Sequence, residues 1–265
     1  MKAKAEMKRI LLLVLCTVLV LAASFVHAQS AGTISVLSTN AIVGPLTTIV
    51  DEHNKGKGPR ITVEFDTSPS INRRFAAGTI KGVHVLVAAN NTVDQAIKDG
   101  KAIADSRVRV GRVGVGVAIR RGAPRPDVSS VDALKASLLK ADAIVYSQGA
   151  SGVYVAQLLD KLGLMPQVKA KAVQLTTGAD MIERVQHSKG NEIGMTQISE
   201  ITRAAEETKG AIVYVGPLPA SIQNYTTFDA VVLTGTPNAD AARAFVKRLT
   251  APAARKLLAA NAWEF

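Results

Sequence analysis

The chain has 265 residues, is 48% hydrophobic, carries a formal net charge of +11 and contains one cysteine. It is long and apolar enough for one large domain or two lobes, and a single cysteine excludes an internal disulfide framework. Aromatic residues make up only 4% of it and the basic residues form no dense run, which argues against a nucleic-acid binder.

Residues 1–28 read as a separate unit. Lys2, Lys4, Lys8 and Arg9 form a basic start, an apolar run covers 10–23, and Val26, His27 and Ala28 give a small-x-small cleavage pattern. This is the pattern of a secretory signal peptide, with cleavage expected after Ala28 and a periplasmic location for the remainder. Cys16 lies inside it and follows Leu15, so neither thiol chemistry nor lipoprotein processing is expected. The segment carries four of the 32 basic and one of the 21 acidic side chains, so the rest keeps a net charge of +8. That charge suits an anionic ligand, an acidic partner or solubility alone.

From residue 33 strand-like and helix-like runs alternate. A strand is expected over 33–37, a polar turn over 38–40, and a helix over 43–53 with Pro45 in its first turn, where proline is tolerated. A Lys/Gly-rich loop follows, then a strand over 60–66, a polar turn over 67–70 and a helix over 71–77 closed by Gly78. An apolar strand over 83–88 precedes a short helix over 92–98. The run RVGVGVAIR over 112–120 is strand-like but glycine-studded, and reads as a crossover between lobes. A second set of units then begins, with a helix over 131–140 capped by Ser129 or Ser130. Next come a buried strand from 143, a turn at 147–152 and an amphipathic helix. A strand over 173–176, a turn over 176–180 and a helix over 181–188 follow. A buried strand over 192–196, a helix over 198–208 and a strand over 211–215 complete the set. The apolar stretch 228–234 crosses back, and two helices, 239–249 and 252–260, end the chain.

Such alternation argues for parallel βαβ units, whose ligands bind beyond the carboxyl ends of the strands. The polar turns 38–40, 67–70, 147–152 and 176–180 all fall where a strand gives way to a helix. Their hydroxyls, together with the unpaired N–H groups and partial positive charge of helix starts, suit a small anion. In the third turn Ser147, Gly149, Ser151 and Gly152 stand together; Ser151 equally reads as a helix N-cap.

Several stretches carry a resemblance: ISVL at 34–37, VEFDTSPSINRRFAAG at 63–78, VHVLVAANN at 83–91, SGVYVAQLLDKLGL at 151–164 and ARAFVKRLTAPAARKLL at 242–258. In their order and spacing the chain resembles the periplasmic substrate-binding proteins of ABC importers, specifically the molybdate-binding type. The resemblance implies an α/β, type II periplasmic-binding fold: two lobes, each a mixed, mainly parallel sheet flanked by helices. Two crossing strands join the lobes, which close like a flytrap on an oxyanion held by neutral donors. Residues 29–116 with 225–265 would form one lobe and 117–224 the other, with hinges at 112–122 and 216–228. The family's first serine falls near Ala41, where Ser38, Thr39 or Asn40 would stand in, and the second near Ser68 or Ser70. Backbone donors fall near Ser151 and Gly152, and near Ala179 or Asp180. Gln197 occupies the place of a tyrosine, and His84 that of an aspartate. These departures make a small anion the expectation rather than molybdate alone.

A carboxylate ligand would recruit arginine, and Arg73 and Arg74 stand three and four residues after Ser70; Ser147 and His84 complete this second set. The alternative function is therefore binding, or proton-transfer isomerisation, of a small di- or tricarboxylic acid, with His84 as acid or base. A serine hydrolase is disfavoured, because 149–152 is not G-x-S-x-G and no histidine can be set beside Ser151. No catalytic residue, metal site or cofactor is expected. The expected partners are a small anionic solute and an ABC permease of the inner membrane, with the protein itself a monomer.

Overall fold

The structure is a computed structural model that describes residues 32–265; the expected signal peptide lies outside the described residues. Nine strands pair in the order β2-β1-β3-β9-β4-β7-β5-β6, with β8 also on β4. In chain order these are β1 (Ile34–Thr39), β2 (Ile61–Asp66), β3 (Val85–Ala89), β4 (Val108–Arg120), β5 (Ala143–Ser147), β6 (Ala172–Leu175), β7 (Glu192–Gln197), β8 (Ile212–Pro217) and β9 (Tyr225–Val232).

The pairing is less parallel than alternation suggests. Four pairs are parallel, β1 with β2 and β3, and β5 with β6 and β7; four are antiparallel, and each of those contains β4 or β9. The parallel pairs come from βαβ units, which need a helical crossover. The long strand β4 is what the alternation rule missed. Its first half, from Val108 to Gly114, pairs with β9, while Val115 to Arg120 pairs with β7 and β8. One strand thus belongs to both sheets.

Each sheet is covered on both faces. The first packs Ile34, Val36, Leu46, Val85, Phe228 and Phe245 on one side and Leu37, Ile71, Leu86 and Val93 on the other. The second packs Val117, Leu134, Ile144 and Leu158 on one side and Val145, Met181, Val185 and Ile201 on the other. This is the period-2 alternation of strands buried on both faces.

The helices are α1 (Val43–Asn54), α2 (Ser68–Ala76), α3 (Asn90–Lys98), α4 (Val131–Lys140), α5 (Ala150–Lys161), α6 (Met165–Val168), α7 (Gly178–His187), α8 (Ile198–Glu207), α9 (Ala239–Arg248) and α10 (Pro252–Ala260). A 3-10 turn, Asn40–Ile42, leads into α1. Among the described residues no helix is long and apolar enough to cross a membrane.

The strand-to-helix turns are shorter than expected because the helices start earlier. Thr67 caps α2 by accepting from the Ser70 N–H, and Pro69 sits in the first turn, where its fixed φ is preformed for a helix. Thr177 and Asp180 make a reciprocal capping box on α7. Helix α5 is capped by Gly149, not by Ser151, whose side chain makes no cap bond.

Gly152 sets how close α5 lies to its strand. A Cβ there would overlap the Ser147 carbonyl oxygen. Gly152→Ala therefore has to push the first turn of α5 off β5, and overpacking of that kind costs about 3 kcal/mol. Thermal denaturation should show Tm lower by roughly 6–12 °C; an unchanged Tm would show that the turn relaxes freely.

Candidate functional site

The carboxyl ends of β1, β2, β5, β6 and β7 face one cavity between the two sheets. It holds about 360 Å³ of empty space, counting its mouth, and is lined by Thr39, Asn40 and Ala41 at the end of β1, Asp66, Thr67 and Ser68 at the end of β2, Ser147, Gly149, Ala150 and Ser151 at the end of β5, Gly178 after β6, Gln197 and Glu200 at and after the end of β7, and Phe228. The starts of α2, α5 and α7, and of the 3-10 turn before α1, therefore converge on it. Their first-turn N–H groups have no acceptor within the helix and carry a partial positive charge. No lysine, arginine or histidine is among the described residues that line it.

Each candidate read from the sequence has a definite place. Thr39, Asn40, Ser68, Ser147, Ser151 and Gln197 come together on the cavity wall. Ser38 does not, because adjacent strand residues point to opposite faces; it is buried and its hydroxyl donates to the Thr39 carbonyl at 3.4 Å. Ser70 stands farther into α2, its N–H taken by Thr67 Oγ1 at 3.3 Å. Gly152 lies behind the wall, against Ser147. Ala179 is exposed and the Asp180 N–H is held by Thr177 Oγ1 at 3.0 Å, so Gly178 is the residue that α7 presents.

Of the second set only Ser147 lines the cavity; Arg73, Arg74 and His84 stay outside it. Arg73 is exposed, and Arg74 forks onto Glu64 at 2.6 and 3.1 Å and touches Asp66 at 3.4 Å. His84 sits at the amino ends of β1 and β3, opposite to the cavity. Its Nδ1 accepts from the Ser35 N–H at 3.1 Å, which is a structural hydrogen bond.

Two buried polar atoms of wall residues have no partner among the described residues: Thr39 Oγ1 and Gln197 Oε1. Gln197 Nε2 donates to Thr226 Oγ1 at 2.9 Å. Because a threonine hydroxyl can donate as well as accept, turning the amide over keeps that bond and puts a donor where the unpaired oxygen stands. Buried polar groups are normally paired, so these two can take a partner from a polar occupant of the cavity.

Sequence reading did not single out Asp66, Gly178, Phe228 or Glu200, and the buried acid among them is Glu200. It is only 8% exposed, yet it lines the cavity. Its Oε2 accepts from the Thr196 hydroxyl, and Thr196 Oγ1 lies 3.3 Å from Ser151 Oγ. Since the Thr196 hydrogen goes to Glu200, that of Ser151 goes to Thr196. Gly178 makes room for the carboxyl, because a Cβ there would lie 2.9 Å from Oε1 and closer still to Oε2. A helix wheel gives the signal: Glu200 shares the buried stripe of α8 with Ile201 and Ala204.

Burial pushes the Glu200 carboxyl above its ordinary value, and the Thr196 hydrogen bond and the Arg203 charge only partly oppose this. The folded state therefore holds this proton to higher pH than the unfolded chain does. Stability due to Glu200 is complete below the reference value of 4.5 and is lost as pH rises through the raised folded value. Glu200→Gln removes that slope, so Tm measured against pH should fall less steeply toward alkaline pH in the variant. Parallel curves would place the proton elsewhere.

The model of the bacterial extracellular solute-binding protein family matches residues 34–264. A curated aconitate isomerase from a Pseudomonas species is 29% identical over 237 residues, 87% of each chain. Among solved structures, the periplasmic molybdate-binding protein of Azotobacter vinelandii superposes with a TM-score of 0.73 at 17% identity, over 88% of this chain and 99% of that one. A periplasmic thiamin-binding protein gives 0.70 at 13%, over 90% and 84%. The sulfate-binding protein of Mycobacterium tuberculosis gives 0.69 at 17%, over 88% and 86%.

Proposed function

Because the chain belongs to the family of bacterial extracellular solute-binding proteins, we propose that it captures a small anion outside the cytoplasm, in the periplasm, and delivers it to an ABC permease. One observation carries this reading: the starts of several helices and a set of hydroxyls face a single cavity whose described lining has no cationic side chain. Dipoles can hold an anion without leaving a buried countercharge unpaired when the cavity empties. The two sheets would close on the ligand about β4, the strand they share, and the link between β8 and β9, as in hinge closure around a bound solute.

A second reading, a proton-moving isomerase of a small polycarboxylic acid, is favoured by two observations. Glu200 places a buried carboxyl on the cavity wall, and the chain is similar to an aconitate isomerase. The roles imagined for His84, Arg73 and Arg74 do not enter it, because none of them lines the cavity.

A thermal-shift panel of molybdate, tungstate, sulfate, phosphate, citrate, trans-aconitate and thiamin separates these outcomes. At about a thousand times Kd, a bound ligand adds about 4 kcal/mol of stability. A shift with an anion and none with cationic thiamin is expected, and no shift with any anion would sink the proposal. Proton NMR of trans-aconitate incubated with the protein tests the isomerase reading: a second isomer must grow in.

Thr39→Val gives a sharper check. It removes a buried hydroxyl without a partner, so the free protein should gain about 1 kcal/mol, while losing a hydrogen bond to a charged ligand should weaken affinity roughly tenfold. If affinity is unchanged, Thr39 does not touch the ligand.

A further inference from the structure

The side of the cavity formed by the second sheet ends in a proton chain: Ser151 donates to Thr196, and Thr196 to Glu200 Oε2. That fixes one oxygen of the carboxyl as an acceptor. The other, Oε1, has no hydrogen-bond partner among the described residues and, like Oε2, lies beside the first residue of α7. The ionisable groups around it are already engaged. On α8, Arg203 is paired with Glu207 at 2.6 and 2.8 Å. Across the cavity, Asp66 accepts from the Thr67 N–H at 2.7 Å and meets Arg74 at 3.4 Å. On α7, Asp180 is closed into its capping box. Nothing cationic in the described lining stands between Glu200 and an entering anion.

Two consequences follow from simple electrostatics. An ionised Glu200 and a bound anion repel each other in a site screened from water. They also compete for the same partial positive charge at the start of α7. A neutral carboxyl has neither problem, and it gains an O–H donor while its other oxygen still accepts from Thr196.

We propose that Glu200 is a ligand-binding acid of this cavity, which takes up one proton together with the anion and donates a hydrogen bond to it from Oε1. This rests on the small-anion reading above. The ligand class is then one that presents an acceptor-only oxygen at this point, a carboxylate or a fully ionised tetrahedral oxyanion. The proton is neither created nor consumed: it comes from solvent on binding and returns on release.

The test is isothermal titration of the full mature protein with trans-aconitate and, separately, with molybdate. Titrations run from about pH 6 to about pH 9, in buffers of different ionisation heat so that bound protons are counted directly. On the alkaline side affinity should fall tenfold per pH unit with close to one proton taken up per anion. Glu200→Gln keeps a neutral donor and the Thr196 contact. It should bind with the wild-type affinity of low pH, flat across the range and with no proton uptake. A flat wild-type profile without proton uptake overturns the proposal while leaving anion capture standing. Loss of binding in Glu200→Gln at about pH 6 also overturns it, because the ligand would then be donating to an ionised Glu200. If neither anion binds the wild type at any pH, the capture reading of these probes fails, and this inference with it.

Discussion

An anion taken out of water has to be stabilised by something, and in the proposed function that something would be oriented dipoles. The cavity sits where several strands end and helices begin, so backbone N–H groups and short hydroxyl side chains face inward. This arrangement depends on close packing behind the wall. Helix α5 can point its start at the cavity only because Gly152 lets it lie against the Ser147 carbonyl. Helix α7 can meet α8 only because Gly178 leaves space for the Glu200 carboxyl. The two glycines face different needs: one admits backbone to backbone, the other admits an ionisable group to the site.

The wall also joins the two sheets. Ser199 Oγ, at the start of α8, donates to the Ala41 carbonyl at 2.8 Å, and Gln197 reaches Thr226 on β9. Helix α8 thus carries a contact to the opposite side, a cavity-lining amide just before its start and a buried acid within one turn. A shift of one sheet against the other would strain the Ser199 and Gln197 contacts directly.

Much of this was legible in the sequence, for a physical reason. Hydrophobic alternation and capping residues are local signals, so most elements begin and end within a few residues of expectation, and the polar turns mark the correct sheet edge. Ser68, Ser147, Ser151 and Thr39 line the cavity because strand-to-helix turns lie at that edge of the sheet, although hydroxyls in such turns also serve as helix caps, as Thr67 and Thr177 do. What was not legible depended on side-chain direction and on chain reversal. Ser38 and Thr39 are neighbours, yet only Thr39 faces the cavity. Arg73 and Arg74 stand one turn too far along α2, and His84 is at the wrong end of β3. Glu200 was hidden because an acidic residue early in a helix ordinarily reads as a favourable charge at its N-terminus, whereas here it is folded inward. The antiparallel pairing of β4 and β9 joins residues more than a hundred positions apart, beyond the reach of any local pattern.

That last pairing bears on the order in which the molecule can assemble. β9 lies between β3 and β4, and the backbone of Glu264 closes onto Arg112. The first sheet therefore has a gap in its middle until residues 225–232 arrive, and its edge is closed later still, at Glu264. The second sheet is built wholly from residues between 115 and 217 and needs nothing from either end. A chain emerging from its amino terminus can complete the inner half first, while the outer half waits on contacts of very long sequence separation, which form slowly. Until then the unfilled edges of β3 and β4 are open to any other extended segment, and closing that window falls to β9 and Glu264.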